Sequence, residues 1–157
     1  MMTRLTNNHI EFAEHIRNEL SKPFSMDSCV VFSAFPSLGT GHFSIQLVDN
    51  SNPFLLVRQW NQDLGDSYAL GIYNLDNVKI DEKKIKILDQ DLFTIRDLIH
   101  ADLGVKELKA IILDGVDFEL RVIRQGQTNI YHWRTKAQIS GKTNALIEKL
   151  VDVAGLQ

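Results

Sequence analysis

The segment Ser140-Gly141-Lys142-Thr143 has the residue types that end a phosphate-binding P-loop. The complete motif requires a second glycine five positions before Gly141, and Lys136 stands there instead. A P-loop domain also needs a metal-binding aspartate on a later strand, whereas one helical pattern is all that follows Thr143. We therefore interpret the segment as a loop in which Ser140 or Thr143 caps the last helix.

The histidines and the cysteine show no spacing that is typical of metal ligands or of a nucleophile. His9 and His15 are six positions apart on a predicted helix, so their side chains point in different directions. Cys29 is the single cysteine, which excludes an intrachain disulfide and suits a reducing compartment. It lies in an apolar run, where we predict a buried small side chain. The sequence thus predicts no catalytic residue, no metal site and no cofactor.

Two groups of polar residues are candidates for contact with a partner. Carboxylates in the loop 61–66 could bind calcium or a basic partner, or could simply face water in a turn. Their spacing does not match a calcium-binding loop. A second group alternates with apolar residues on two strands, so its side chains should share the outward face of a sheet. The predicted partner-binding residues are Asp63, Asp66, Glu119, Arg121, His132 and Arg134.

Hydrophobic periodicity predicts three helices and a series of strands around these residues. Asp114-Gly115 is the strongest hairpin signal in the chain, with apolar-rich runs on both sides. The predicted helices cover 6–22, 91–101 and 143–154. The predicted strands cover 29–36, 42–48, 54–60, 67–73, a short edge strand at 85–88, the two halves of the hairpin at 107–124, and 128–134.

This pattern predicts a single globular α+β domain over residues 1–157. Its mostly antiparallel sheet should contain about six or seven strands in two hairpin or meander groups. Helices at the N-terminus, middle and C-terminus should pack mainly on one face, with Trp60 and Trp133 in the core. The other face should be wet or meet a partner, since it would carry the polar set Ser44, Gln46, Gln59, Glu119, Arg121, His132 and Arg134.

Composition narrows the classes of function. The chain is 44% apolar and 24% charged, with a net charge of −3 and a pI near 5.9. Without a basic run it lacks the electrostatic footprint of a nucleic-acid-binding domain. It has no apolar stretch of about 18 residues and no apolar leader, so we expect a soluble, cytoplasmic protein that does not enter a membrane.

The predicted function is a non-enzymatic protein-binding module that meets a basic partner surface through its acidic and polar sheet face. We expect a monomer or a weak homodimer. In size, charge and class the chain is similar to bacterial immunity proteins, which inhibit toxin domains, and to small secretion chaperones. The alternative is a small enzyme or ligand-binding domain with a site around His132, Glu119 and Arg134, where a histidine–carboxylate pair could transfer protons. His42 is a further outward-facing candidate for that site.

Overall fold

The computed structural model describes residues 4–106 and 115–156. In chain order its strands and helices are β1 Leu5–Thr6, α1 His9–Ser21, β2 Ser28–Pro36, β3 His42–Val48, β4 Phe54–Trp60, α2 Leu64–Leu70, β5 Tyr73–Asn74, β6 Asp81–Lys86, α3 Asp89–Ile99, β7 Val116–Arg124, β8 Gln127–Trp133 and α4 Gly141–Ala154. This order confirms the predicted α+β class, with helices at the N-terminus, middle and C-terminus.

Six of the strands form one antiparallel sheet in the order β6-β4-β3-β2-β7-β8. Strands that are close in sequence pair as a meander from β2 to β6, and the β7–β8 hairpin adds beside β2. β1 and β5 form a separate two-stranded sheet. The edge strand predicted at 85–88 overlaps only the end of β6, which covers Asp81–Lys86 and forms one edge of the sheet. Among the described strands, β8 lies at the opposite edge. The first half of the predicted hairpin, 107–114, lies outside the described residues.

One face of the sheet packs against α3 and α4. Cross-strand partners such as Val30, Leu47 and Leu55 share this face, and they form one apolar core with Ile95 of α3 and Leu150 of α4. All five side chains are fully buried. The apolar half of each strand's alternation therefore faces these two helices.

The opposite, polar face is covered by α1 over β2, β3 and β4, which corrects the expectation of a wet face. Ser44 and Gln46 are fully buried there. The Ser44 hydroxyl donates to the Leu20 carbonyl at 2.6 Å, and the Gln46 amide donates to the Lys22 carbonyl at 3.2 Å. The last carbonyls of a helix have no partner within the helix, so polar strand side chains can serve them without contacting water. Towards β7 and β8, this face opens into a cavity beside α1.

Gln59 was also expected on the polar face, and that expectation is wrong. It pairs with Phe43, whose side chain packs against the core beneath α3 and α4. Because alternate residues of a strand face opposite sides, Arg58 takes the place on the polar face instead. Trp60 and Trp133 are buried, which confirms their prediction as core residues.

The predicted strand at 67–73 is wrong, because most of this segment forms helix α2. The Asp63 carboxylate accepts hydrogen bonds from the backbone N–H groups of Gly65 and Asp66, which caps the start of the helix. Gly71 ends it in the left-handed conformation, with φ of 75°. These two end signals outweigh the short apolar alternation around Tyr68.

The P-loop-like segment caps α4, as the sequence predicted. The Ser140 hydroxyl accepts a hydrogen bond from the Thr143 backbone N–H at 3.2 Å. Thr143 is itself buried, and its hydroxyl accepts a hydrogen bond from the Gly104 backbone N–H. Both hydroxyls are therefore engaged within the fold.

Candidate functional site

A cavity of about 480 Å³ opens between α1 and the β7–β8 hairpin, on the part of the polar face that α1 leaves uncovered. It brings together four of the six residues that the sequence singled out. Its charged and titratable lining consists of Glu14 and Arg17 from α1, Asp117, Glu119 and Arg121 from β7, and His132 and Arg134 from β8 and the residue after it.

The Asp117 carboxylate joins the two walls of the cavity. One oxygen lies 2.9 Å from an Arg17 guanidinium nitrogen, and the other lies 2.9 Å from Arg134 Nε. Arg134 also donates to the Ser37 hydroxyl at 3.2 Å, so its guanidinium is fixed on two sides. Asp117 thus orients one arginine from α1 and one from the end of β8.

The Glu119 carboxylate lies deeper in the cavity and contacts two further residues. Oε1 accepts a hydrogen bond from Arg121 at 3.1 Å, and Oε2 lies 4.0 Å from His132 Nδ1. The His132 side chain is 70% exposed, whereas that of Glu119 is 13% exposed. His132 is therefore an exposed group at the cavity mouth, beyond hydrogen-bonding distance of the carboxylate.

The remaining lining is partly apolar. Phe35 of β2 lies beneath the Arg17 guanidinium, which is 5.4 Å from the centre of its ring. Phe118 and Trp133 also border the cavity, but their rings, which stack with 5.7 Å between centres, pack into the core beneath α3 and α4. Arginine is one of the residue types that most often anchor protein interfaces.

Glu14 is the carboxylate of the cavity that remains available. It is exposed, and it forms no ion pair within residues 4–106 and 115–156. Asp117 and Glu119 each face arginine already. A positive group that enters from outside would therefore meet Glu14 first.

Sequence reasoning missed Glu14, Arg17 and Asp117. Asp117 lies in the same alternating pattern as Glu119 and Arg121, so that pattern could have included it. Glu14 and Arg17 could not be found from spacing, because their place depends on how α1 docks against the sheet.

Asp63 and Asp66 do not line this cavity. Asp63 uses its carboxylate to cap α2, while Asp66 lies exposed in the first turn of that helix. A charge change at Asp63 would therefore disturb the helix as well as the surface potential. Asp66 is the better probe of whether this loop contacts a partner.

Cys29 lies outside the cavity, partly buried in β2. Burial raises the pKa of its thiol to about 12, and the Asp49 carboxylate adds to the increase. A thiol with so high a pKa is a poor nucleophile at neutral pH. Its partial burial is less complete than the buried side chain that the sequence predicts.

His42 was expected to face outwards, and the structure places it in the interior. It is 2% exposed, with its ring edge-on to Trp60 at 5.1 Å between ring centres. Its Nε2 lies 3.3 Å from the Gly39 carbonyl. Burial lowers the pKa of His42, with the positive charge of Arg17 acting in the same direction.

This burial predicts an acid-dependent loss of stability. The unfolded chain takes up a proton at His42 near pH 6.5, whereas the folded chain takes it up only at lower pH. The free energy of unfolding should therefore fall as pH drops below about 6.5, by at most about 1.4 kcal/mol per pH unit from this residue. His42→Phe keeps a ring against Trp60 and should flatten the profile below about pH 6.5 in urea titrations. An unchanged slope in the variant would assign the acid sensitivity to other groups.

No group of three or more His, Cys, Asp or Glu residues in the described part of the chain could hold a metal ion. Among the described helices, none combines the length and apolar character needed to cross a membrane. No protein-family model, curated protein or solved structure matches the chain significantly.

Proposed function

We propose that the chain is a non-enzymatic protein-binding module whose contact site is the cavity between α1 and the β7–β8 hairpin. The observation that carries the proposal is the convergence of oriented arginines at one open concave surface, with the buried Phe35 ring beneath Arg17. Arg17 and Arg134 are held by Asp117, so a partner would meet them already ordered. Ordered side chains lose less conformational entropy on binding, which favours affinity.

The geometry favours binding over proton transfer. Acid–base chemistry by His132 needs a hydrogen-bonded partner that orients the ring, but its distance from Glu119 is 4.0 Å. Glu119 is engaged by Arg121 instead. The pair thus supports recognition of charged groups more readily than it supports catalysis.

We infer that the partner presents a basic side chain at the cavity mouth. Glu14 supplies the unpaired negative charge there, and the whole chain carries a net charge of −3. Charge complementarity of this kind accelerates association and fixes the orientation of the complex. Inhibition of a basic toxin domain and protection of a secreted client, the roles of immunity proteins and small chaperones, would both use such a contact.

Charge reversal of Glu14 tests this proposal. Tagged wild-type protein and Glu14→Lys would be used to capture partners from lysate of the host cell at low and high salt. We expect one stoichiometric partner for the wild type, weakened by salt, and a reduction of about tenfold or more for Glu14→Lys. Asp66→Lys is the matched control, because it changes the net charge equally on an exposed helical carboxylate away from the cavity.

The outcomes separate the possible sites. Retention of the partner by Asp66→Lys and its loss by Glu14→Lys would support the cavity. Equal loss in both variants would mean that general charge, or the 61–66 loop, carries the contact. Equal capture by all three proteins would reject the cavity as the binding site.

Small-molecule binding is the second candidate, favoured by the cavity volume, since pockets for small ligands measure about 300–1,000 Å³. The residues would be those of the alternative prediction, His132, Glu119 and Arg134. If neither salt condition yields a partner, a ligand that raises the melting temperature of the wild type but not of His132→Ala would establish this function.

A further inference from the structure

The two edges of the six-stranded sheet differ in charge. On the β6 edge, charged side chains occupy every position of Asp81–Lys86 except Ile85. Charged residues, lysine above all, are the usual protection against pairing between edge strands. On the β8 edge, the sequence of Gln127–Trp133 is Gln-Thr-Asn-Ile-Tyr-His-Trp, without a lysine, arginine, carboxylate or proline. Charged side chains therefore protect the β6 strand against pairing, whereas the β8 strand has no charged side chain.

The β8 edge is also accessible. Among the described residues, β8 pairs with β7 alone. Residues 127–130 are exposed, including Ile130, which is 47% exposed at the centre of the strand. An exposed β-branched residue on an uncharged strand that has one neighbour among the described residues is a typical site for strand addition.

The turn between β7 and β8 determines which backbone groups point outwards. Gln125 and Gly126 both have positive φ, 48° and 79°, as in the type I′ turn of a two-residue hairpin. The residues that flank such a turn, Arg124 and Gln127, exchange hydrogen bonds, and bonded pairs then alternate with non-bonded pairs. The backbone N–H and C=O groups of Thr128, Ile130 and His132 therefore point away from β7.

We propose that β8 pairs with β8 of a second copy of this chain, antiparallel and centred on Ile130. A twofold axis at Ile130 places the two copies of this residue opposite each other. It also places Thr128 of one copy opposite His132 of the other. Their outward N–H and C=O groups then meet without any like-charged pair at neutral pH. The same operation on β6 would bring lysine opposite or next to lysine. Because β8 has no charged residue, two copies of it can pair without repulsion between like charges.

This pairing would extend two sheets into one. His132 lies on the paired strand and at the cavity mouth, so the two cavities would open on the same face of the joined sheet. The inference stands on the edge itself and does not depend on what the cavity binds.

Sedimentation of the full chain tests the proposal between about 5 and 500 µM, a range that covers weak association. The mass of the wild type should rise from 17.9 kDa towards twice that value. Ile130→Pro removes an outward N–H that β7 does not use, and should stay monomeric and folded. Ile130→Ala, which keeps the N–H, is the matched control and should weaken the dimer less.

A charge swap tests the twofold register. Ile130→Lys and Ile130→Glu should each be monomeric, because each places like charges opposite one another. An equimolar mixture should regain the dimer, with an association constant at least about tenfold above that of either variant alone. Circular dichroism and thermal melts confirm that the variants fold.

Three results would overturn the proposal. The wild type could remain at 17.9 kDa throughout the concentration range. Ile130→Pro could dimerise as well as the wild type, which would place the interface elsewhere. The mixed charge variants could remain monomeric while the wild type dimerises, which would show that Ile130 does not meet itself.

Discussion

Replacing Arg58 by alanine is expected to lower the free energy of unfolding by about 3 kcal/mol. Arg58 is 3% exposed on the polar face of the sheet, beneath the end of α1. Its guanidinium donates to the Lys22 carbonyl at 2.6 Å and to the Glu82 carboxylate at 3.0 Å. A weaker hydrogen bond reaches the Leu20 carbonyl at 3.4 Å.

The expected loss of stability is large because Arg58 provides positive charge and hydrogen-bond donors at the C-terminal end of α1. α1 has no basic residue in its last turn, although a positive charge near the C-terminus of a helix is stabilising. Arg58 supplies that charge from the sheet. Removal of its side chain would leave buried carbonyls short of donors and would open a cavity, and each of these changes is costly.

Chemical denaturation of Arg58→Ala measures this loss, with Glu82→Gln as the control. The Glu82 side chain is 48% exposed, so water can replace its contact, and the control should lose less than about 1 kcal/mol. Hydrogen exchange at the last turn of α1 should accelerate in Arg58→Ala only. A loss below about 1 kcal/mol in that variant would show that Ser44 and Gln46 hold the helix end without it.

The role of Arg58 also shows where sequence reasoning reached its limit. The alternation of β3 and β4 predicted both strands correctly, because a strand with one buried face repeats every second residue. The same alternation predicts a polar half that faces water or a partner. Polar side chains alternate in the same way when they serve the end of a helix, so only the position of α1 distinguishes the two cases.

The proximity of Glu119, His132 and Arg134 could be predicted from the sequence, because it depends on the local geometry of one hairpin. The Gln125-Gly126 turn sets the register that places Glu119 opposite His132. Partners within a hairpin are close in sequence, so turn type and alternation are enough to bring them together. Asp117 and Arg17 are 100 positions apart, and no local rule joins them.

Asp117→Ala should therefore have the second large effect, on stability and on partner binding together. Without this carboxylate, Arg17 and Arg134 lose the group that they share, and two guanidinium groups remain near one another. Because all three side chains are partly exposed, we expect a loss of about 1–2 kcal/mol in the free energy of unfolding. Capture of the proposed partner should fall by about tenfold or more, since both arginines lose their orientation.

Asp97→Ala is the matched control for Asp117→Ala. It removes one negative charge from an exposed helical position and should leave both stability and capture nearly unchanged. Similar losses in the two variants would mean that net charge alone determines the free energy of unfolding and the capture of the partner.

A double-mutant cycle then identifies which arginine matters for which property. Arg17→Ala should couple to Asp117→Ala in the free energy of unfolding, because that ion pair ties α1 to β7. Arg134→Ala should couple to Asp117→Ala mainly in partner capture, because Arg134 follows β8 and is also held by Ser37. Coupling in stability without any coupling in capture would make Asp117 a structural residue, and the contact site would then lie with Glu14 at the mouth of the cavity.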